Sequence, residues 1–503
     1  MPSREETIST SNDTSHIEPR IGSIPVEILC EVFSDVLKSS HSPLGPSYLG
    51  PHHRNLVLLK LTAVCRRWRS AASECAILWT SIAFSTSVRS TVECATLFLS
   101  RSKEATLSVY IWDSRNPRGI EIPGSCKGLV KSIASQSHRL STCDLSSASP
   151  TFWGYWSSPA PNLRNLTVQG HGTNIPPVFS GEVPQLESIT SLSYTLLPLG
   201  NYSALRRADL RNHGRRISLA SLLDTLRGCE MLEKLTLHGY ARLSREAFDH
   251  TVVSLPHLSK IDLFSSDSAL ILGHLETPSL TGPVVIFDSN PSLGILHSLP
   301  RTQHDAPYLQ EVAKLQVVLN AHSAQYHISG YREDGKIALY IGVCGVEHWA
   351  RWEWVGGSIT SVATFFHFFR IRSLMLTTDT SIVPWNLWLP NLEHLRELTV
   401  SCPRSESLLN CLLGTSPESG MPLCPSLESL ALYRCGKRAV VDHVGLVGLV
   451  MSRYRAGRPL RNLKLHKDEW DWIQELDNSW AVLAQSQCTY FGQRIIWNRL
   501  IPQ

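Results

Sequence analysis

The sequence lacks several features that define common functional classes. Its 13 cysteines are spread from Cys30 to Cys488, but no two stand at C-x-x-C spacing, so neither a zinc site nor a disulfide framework is indicated. Its lysines and arginines are scattered in pairs, without the clustering that nucleic-acid binding requires. We therefore expect no cofactor, no metal ion and no nucleic-acid partner. Reduced thiols packed as small apolar groups fit a cytoplasmic or nuclear location.

Membrane-directing and catalytic signals are also missing. The first residues, MPSREETISTSNDTSH, are polar and carry no apolar run of a signal peptide, and we expect residues 1–20 to be a disordered tail. The most apolar stretch, Val440–Met451, is too short to cross a bilayer. No nucleophile elbow, P-loop, dinucleotide fingerprint or H-E-x-x-H motif occurs. The sequence therefore predicts an intracellular protein without a membrane partner and with no catalytic residues.

Two apolar helical stretches lie near the start of the chain. Pro25 suits the first turn of a helix, and Leu29, Val32, Phe33 and Val36 follow at i, i+3, i+4 and i+7 spacing. Residues 39–55 contain three prolines and two glycines, which predicts a loop. A second helical pattern then contains the following apolar residues: Leu61, Val64, Cys65 and Trp68. So small a unit buries little surface alone, which indicates a module that docks onto a partner.

The same residues carry a resemblance to a known family. The string I-P-x-E-I-L-x-E-V-F, then L-L-x-L-x-x-V-C-R-R-W-R, then L-W, resembles the F-box motif, most closely that of mushroom-forming fungi with a lengthened first loop. The resemblance covers about residues 22–84, within a helical domain expected at residues 21–85, and implies binding to a Skp-type adaptor and, through it, to a cullin. Carried over position by position, it implies adaptor contacts from Pro25, Ile28, Leu29, Val32, Phe33, Val64, Cys65, Trp68 and Trp79. The alternative is that these residues are simply the core of a helical subdomain.

A second pattern, L-x-x-L-x-L, recurs through the rest of the chain. Copies begin at Leu163, Leu205, Leu232 and Leu258, with weaker ones at Leu140 and Leu186, and return at Ile371, Leu395, Leu427 and Leu460. The spacing is close to the roughly 20–29-residue period of leucine-rich repeats, whose short strands stack to bury a common core. We expect an α/β fold in which the F-box helices precede an irregular leucine-rich-repeat solenoid with a parallel sheet. The predicted repeat blocks are residues 90–282 and 366–503, the latter including a C-terminal cap.

Residues 283–365 interrupt the repeats. HISGYREDGKIALYIGV alternates in hydrophobicity on either side of Asp334-Gly335, which predicts a β-hairpin. HWARWEWVGG follows, with three tryptophans. We interpret this segment as an antiparallel elaboration between the two repeat blocks. It is alternatively a binding lobe or the site of an unrecognised enzyme.

The outward positions of the predicted strands form a candidate target surface. If positions 1, 4 and 6 of each repeat point inward, positions 3, 5 and 7 face outward, and equivalent positions stack on strands about 4.8 Å apart. The third-position column then reads Arg, Lys, Lys and would favour an acidic or phosphorylated segment. The candidate target-binding residues are Arg207, Asp209, Arg211, Lys234, His238, Lys260 and Phe264. The alternative is that these charges serve only solubility.

The sequence thus predicts a substrate-recruiting subunit of a cullin ubiquitin ligase that binds an unidentified protein target. The alternative is an interaction scaffold that docks the same adaptor without causing degradation.

Overall fold

The computed structural model divides the chain into two compact units, residues 1–163 and residues 164–503. The structure describes residues 24–39, 49–112, 123–147, 149–170, 178–191, 202–211, 219–239, 252–264, 268–281, 283–288, 311–320, 325–343, 370–379, 383–415, 421–434, 442–465 and 487–490. The tail predicted at residues 1–20 and the tryptophan-rich segment HWARWEWVGG lie outside these ranges.

The first unit begins with three helices, α1 (Val26–Ser39), α2 (Leu49–Val64) and α3 (Arg66–Glu74). A 3-10 turn, Ala76–Trp79, leads into strand β1 (Ser81–Ser85), every residue of which is buried. The unit continues with α4 (Arg89–Arg101), β2 (Leu107–Trp112), α5 (Gly124–Ala134), β3 (Leu140–Ser147) and α6 (Pro150–Trp153). The strand pairs β1–β2 and β2–β3 are parallel. The predicted alternation of β2 is confirmed, since Leu107, Val109 and Ile111 are buried and the residues between them are half-buried.

The loop predicted over residues 39–55 is shorter than expected. Residues 40–48 lie outside the described ranges, but α2 begins at Leu49, so residues 49–55 are helical. Pro51 is the third residue of α2, within the first turn, where a backbone N–H has no acceptor inside the helix. A proline there costs the helix no hydrogen bond, which explains why this proline does not prevent the helix.

In the second unit, β4 (Asn165–Gly170), β5 (Ser188–Ser191), β6 (Arg207–Arg211), β7 (Lys234–His238) and β9 (Lys260–Phe264) pair side by side in parallel. Helix α7 (Leu219–Arg227) precedes β7. The short strands β8 (Val253–Ser254) and β10 (Leu275–Glu276) form a separate parallel pair on either side of α8 (Ser268–Leu272) in the chain. The L-x-x-L-x-L copies in this part of the chain are therefore registered parallel strands.

The sheet continues from β9 through β11 (Val284–Asp288) and β14 (Ile337–Val343) to β13 (Gln325–Tyr331) and β12 (Lys314–Asn320). It then passes to β15 (Ser373–Thr378), β16 (Glu397–Cys402), β17 (Ser429–Arg434), β18 (Asn462–Leu465) and β19 (Gln487–Tyr490). Helices α9 (Trp385–Trp388), α10 (Glu406–Leu413) and α11 (His443–Arg455) lie between these later strands in sequence. The predicted α/β class with a large, mostly parallel sheet is confirmed.

Strand β13 is antiparallel to both of its neighbours, whereas the other pairs of described strands in the second unit are parallel. The hairpin predicted at Asp334-Gly335 is confirmed: it joins β13 to β14, and Gly335 adopts φ +80°, a conformation that favours glycine. The segment predicted as an interruption belongs to the same sheet. Its strand β12 pairs in parallel with β15 and follows the pattern of the repeats, through the buried residues Val312, Leu315 and Val317.

Buried apolar residues at equivalent strand positions form the core of the second unit. At the fourth repeat position the registered residues are Leu166, Ile189, Ala208, Leu235, Ile261, Leu315, Leu374, Leu398, Leu430 and Leu463, all of them buried. Because each strand contributes only a few apolar side chains, most of the core exists only once neighbouring strands are stacked.

Candidate functional site

Helix α1 carries two parallel rows of apolar side chains. The inward row, Leu29, Phe33 and Leu37, repeats at i, i+4 and i+8, and its side chains are no more than 2% exposed. Burying side chains of this size stabilises the fold by about 1.5–3 kcal/mol each. The inward row therefore belongs to the core of the first unit.

The second row lies one residue earlier on the same helix and faces outward. Ile28 and Val32 are each 47% exposed, and Val36 is 38% exposed. Val64, at the end of α2, is 60% exposed, and Ile77, after α3, is 68% exposed. An outward helix face ordinarily carries polar residues, so this row of large apolar side chains is a candidate interaction surface.

Acidic side chains share the exposed side of α1. Glu27, Glu31 and Asp35 are all exposed on this helix, while Arg66 and Arg67 are exposed on α3. The Arg67 guanidinium donates a hydrogen bond to the backbone carbonyl of Ile24, which connects α3 to the chain just before α1. Charged residues around an apolar centre are the usual arrangement of a protein–protein interface.

Helix α3 is fixed by its first residues. The thiol of Cys65 caps the helix by accepting a hydrogen bond from the backbone N–H of Trp68 at 3.4 Å. The half-buried indole of Trp68 packs on Phe33, with ring centroids 5.0 Å apart. Arg69 Nε donates to the carbonyl of Thr62 at 3.1 Å, which fixes the junction with α2. Cys65 and Val64 are thereby held exposed at the helix junction.

The Cys30 thiol lies between α1 and the end of α3. It donates to the carbonyl of Ala71 at 3.7 Å, and burial, together with the neighbouring Cys75, raises its pKa to about 11. A thiol with so high a pKa stays protonated at neutral pH and is a poor nucleophile. Cys30 is therefore a packing residue of this junction.

Trp79 is a core residue. It is fully buried, its indole Nε1 donates to the carbonyl of Ala72 at 2.6 Å, and its ring meets Phe98 of α4 edge-on at 4.9 Å. The guanidinium of Arg101 lies 4.4 Å from the centre of the same ring. These contacts occupy the indole completely within the first unit.

The predicted adaptor contacts therefore divide into two groups. Leu29, Phe33 and Trp79 are buried inside the first unit, where they belong to its core, and a direct contact between these three and a partner stays a prediction. The predicted residues left accessible are Pro25, Ile28, Val32, Val64, Cys65 and, in part, Trp68. Val36 and Ile77 were not among the predicted contacts, although Val36 belongs to the apolar periodicity of α1.

The predicted target columns are aligned as expected. Arg207, Lys234 and Lys260 are registered neighbours on β6, β7 and β9. Arg211, His238 and Phe264 form the seventh-position column, and the rings of the last two stack at 3.8 Å with an angle of 6° between their planes. All seven predicted side chains thus lie on three adjacent strands.

Two carboxylates balance part of the positive charge in these columns. The Arg211 guanidinium donates two hydrogen bonds to the carboxylate of Asp209, at 3.0 and 3.1 Å. The Asp262 carboxylate lies 3.5 Å from the Lys260 ammonium and 3.8 Å from that of Lys234. The expected attraction for an acidic segment is therefore weaker than the sequence suggests, because Asp262 balances much of the lysine charge.

No metal site or membrane span is found in the described parts of the chain. Among the described residues, no three potential metal ligands from His, Cys, Asp and Glu come together. None of the helices found there combines the length and the apolar character that a bilayer crossing requires.

The first unit thus begins with a helical cluster that leaves a row of apolar side chains exposed, and the second unit contains a mostly parallel α/β sheet. Residues 21–85 match the F-box-like family model, so the chain carries an F-box-like domain. F-box domains in general support binding to Skp-type adaptors and a non-catalytic role as substrate receptors in SCF-type complexes. A comparison with curated proteins gives no match to the chain.

Proposed function

We propose that this chain is a substrate-recruiting subunit of an SCF-type cullin ubiquitin ligase. Its F-box-like domain binds a Skp-type adaptor and through it a cullin, and the sheet of residues 164–503 binds a protein target. The family match over residues 21–85 supports the first part of this proposal. The size of the second unit and the regular order of its strands support the second part.

The uncovered row of α1 carries the proposal. Ile28, Val32 and Val36 stay accessible, although Leu29 and Phe33, one residue further along, are sealed. Removing apolar surface from water contributes roughly 25 cal/mol per Å². A partner that covers this row together with Val64 therefore gains binding energy without unfolding the core of the first unit.

The proposed mechanism is proximity. The chain supplies no chemistry itself; the ubiquitin-transfer steps belong to the partner subunits. Holding a target beside the charged ligase raises the effective concentration of the target's lysines, which turns a bimolecular encounter into an intramolecular one. This mechanism accounts for two separate units, one for the adaptor and one for the target.

We also propose that the second unit is an irregular leucine-rich-repeat solenoid. The parallel register of β4 to β7 and of β15 to β18 supports this interpretation, as does the buried apolar residue at the fourth position of each strand. Strand β13, which runs against its neighbours, is the main departure from a regular repeat array.

Co-purification with the adaptor tests the docking role. The full chain is expressed with a Skp-type adaptor, and the variant Ile28→Glu/Val32→Glu is compared with Val444→Glu. Val444 is 80% exposed on α11 in the second unit and is a matched control for adding a carboxylate at a surface valine. We expect the double variant to lose the adaptor and the control to retain it. Undiminished adaptor binding by a folded double variant would contradict the proposal.

The remaining alternative is a scaffold that docks the adaptor without degradation of its targets. Proteins captured by the chain should accumulate when cullin activation is blocked if they are degraded through it. Captured proteins whose abundance does not change under that block would favour the scaffold.

A further inference from the structure

An open pocket of about 520 Å³ lies at the end of the sheet where the parallel strands β12, β15 and β16 begin. The turn between β13 and β14 forms one wall. Four cationic and two acidic side chains line the pocket: Lys314, Arg332, Arg372, Arg396, Glu333 and Glu397. It lies well away in sequence from the predicted target columns on β6 to β9.

The charge pattern of the sheet changes at this pocket. The pattern concerns the second position of each repeat, which is the residue after the first apolar position. Between β4 and β7 this position alternates in charge along neighbouring strands. The Arg164 guanidinium pairs with Glu187 at 3.3 Å, and that of Arg206 with Glu233 at 2.6 Å. The backbone carbonyl of each of these arginines also accepts a hydrogen bond from the backbone N–H of its glutamate partner at 2.8 Å, so arginine and glutamate are neighbours on the sheet.

The alternation fails at the pocket. Arg372 and Arg396 hold the second position, directly before β15 and β16, without an acidic residue between them, and the Arg396 N–H donates to the Arg372 carbonyl at 2.8 Å. Alternation resumes beyond them, where Arg461 pairs with Glu428 at 3.3 Å. Like charges on adjacent strands are destabilising unless something of opposite charge lies between them.

The chain itself supplies part of that opposite charge. Glu333, in the hairpin turn, forms an ion pair with Arg372. Within the described residues, Arg396 and Lys314 have no ion-pair partner, and the Lys314 ammonium lies 5.9 Å from the centre of the Tyr331 ring. The pocket therefore has two more cationic than acidic side chains in its lining, and two of the cations stand outside any ion pair of the described residues.

Arg332 provides a second, independent observation. Its side chain is only 17% exposed, and its Nε lies 2.8 Å from a carboxylate oxygen of Glu311. Its Nη2 is buried and has no hydrogen-bond acceptor in the part of the chain that the structure describes. A buried guanidinium N–H without an acceptor is unfavourable, so this group favours binding an acceptor from outside.

We propose that this pocket binds an oxyanion, a phosphate or carboxylate group carried by a peptide segment of the target, through Arg332, Arg372, Arg396 and Lys314. Arginine forks match the oxygen atoms of both groups, and Lys314 adds a point charge. The volume accommodates one acidic or phosphorylated side chain with adjoining backbone. This inference extends the proposed target-binding role. It depends on that role only for the statement that a target peptide carries the oxyanion; the anion site itself does not depend on it.

The test is a titration of the full chain with acetyl-phosphoserine amide at constant ionic strength, followed by ³¹P NMR. Arg396→Gln removes one proposed ligand. Arg461→Gln is the matched control, since it changes the same repeat position two strands away, outside the pocket. Loss of one charge-assisted contact should weaken binding by about tenfold or more. We expect that loss in Arg396→Gln and wild-type affinity in Arg461→Gln.

The source of the oxyanion is distinguished by competition with inorganic phosphate and with acetyl-glutamate amide. Displacement by the glutamate derivative supports an acidic segment, and binding of only the phosphoserine derivative supports a phosphorylated one. Binding of inorganic phosphate alone would overturn the peptide carrier. Absence of binding by any probe, or equal affinity in both variants, would overturn the site. Adaptor co-purification of Arg396→Gln, measured in parallel, separates these failures from failure of the docking role.

Discussion

The indole of Trp68 on α3 packs against the phenyl ring of Phe33 on α1, with centroids 5.0 Å apart and planes inclined at 59°. Phe33 is fully buried, whereas Trp68 keeps part of its surface accessible. Phe33 belongs to the inward row of α1, so this contact joins that row to α3. Ile28 and Val32 are then left on the outer side.

Leu29 and Ile28 should respond differently to truncation, although they are adjacent in sequence. Leu29→Ala removes a side chain that is 2% exposed, which should cost about 2–5 kcal/mol, whereas Ile28→Ala should cost less than about 1 kcal/mol. Hydrogen exchange of the α1 amides measures both. Equal protection of α1 in the two variants would contradict the division into an inward and an outward row.

Asp144 makes the stability of the first unit depend on pH. Burial raises its pKa to about 6, and within the described residues its buried Oδ1 has no hydrogen-bond partner. Because the charged form is disfavoured in the fold, the contribution of Asp144 is most favourable below the unfolded-state pKa of about 3.9 and is lost as the pH rises through 6. The total change is on the order of 3 kcal/mol.

Asp144→Asn should therefore gain stability relative to the wild type between pH 4 and pH 6.5, as measured by denaturant unfolding at each pH. Glu93→Gln is the control, since Glu93 is exposed on α4 and pairs with Arg89. A constant difference between Asp144→Asn and the wild type across this range would show that Asp144 has an ordinary pKa.

Arg453 should be intolerant of replacement by lysine. It is 1% exposed in α11, and its guanidinium donates to the backbone carbonyls of Leu423, Cys424 and Leu427 at 3.0–3.3 Å. A lysine ammonium cannot donate to all three carbonyls in this geometry, so Arg453→Lys should lower the free energy of unfolding by about 2–4 kcal/mol. Arg455→Lys, an exposed change on the same helix, should leave it nearly unchanged. Thermal unfolding of the two variants compares them directly.

Asp442 caps the same helix. Its Oδ1 accepts the backbone N–H of Gly445 at 3.0 Å, so Asp442→Ala should cost about 1 kcal/mol. Asp442→Asn keeps an acceptor at the cap and should retain most of that stability. Exchange rates of the first amides of α11 report the difference. Identical rates in the two variants would indicate that the cap is not a source of stability.

Much of the fold was predictable from periodicity. The i, i+3, i+4, i+7 spacing of α1 identified the helix, and the recurring apolar residues of β6, β7 and β9 identified neighbouring strands. The spacing alone could not tell the inward row of α1 from the outward row, because the two rows are about 100° apart and both are apolar. The start of α2 was missed because a proline in a first turn looks the same in sequence as one in a loop.

The pocket was not predicted. The residues that form it, Arg372 and Arg396 among them, were visible in the sequence at the second repeat position, but their neighbours across the sheet depend on strand order. Strand β12 also matches the repeat pattern, through Val312, Leu315 and Val317, and was concealed by its position before the hairpin. The charges at the second position of successive repeats do show, in the sequence, that the alternation breaks at Arg372 and Arg396.

The reversal of β13 has a consequence for how recognition can diverge in this protein. Because that strand runs backward, its turn reaches the rim where the forward strands start, and it brings Arg332 and Glu333 beside Arg372. The turn Arg332–Lys336 takes no part in the strand pairs formed by β15 to β18. Substitutions or insertions in this turn would change the lining of the pocket while leaving the strand pairs of β15 to β18 intact.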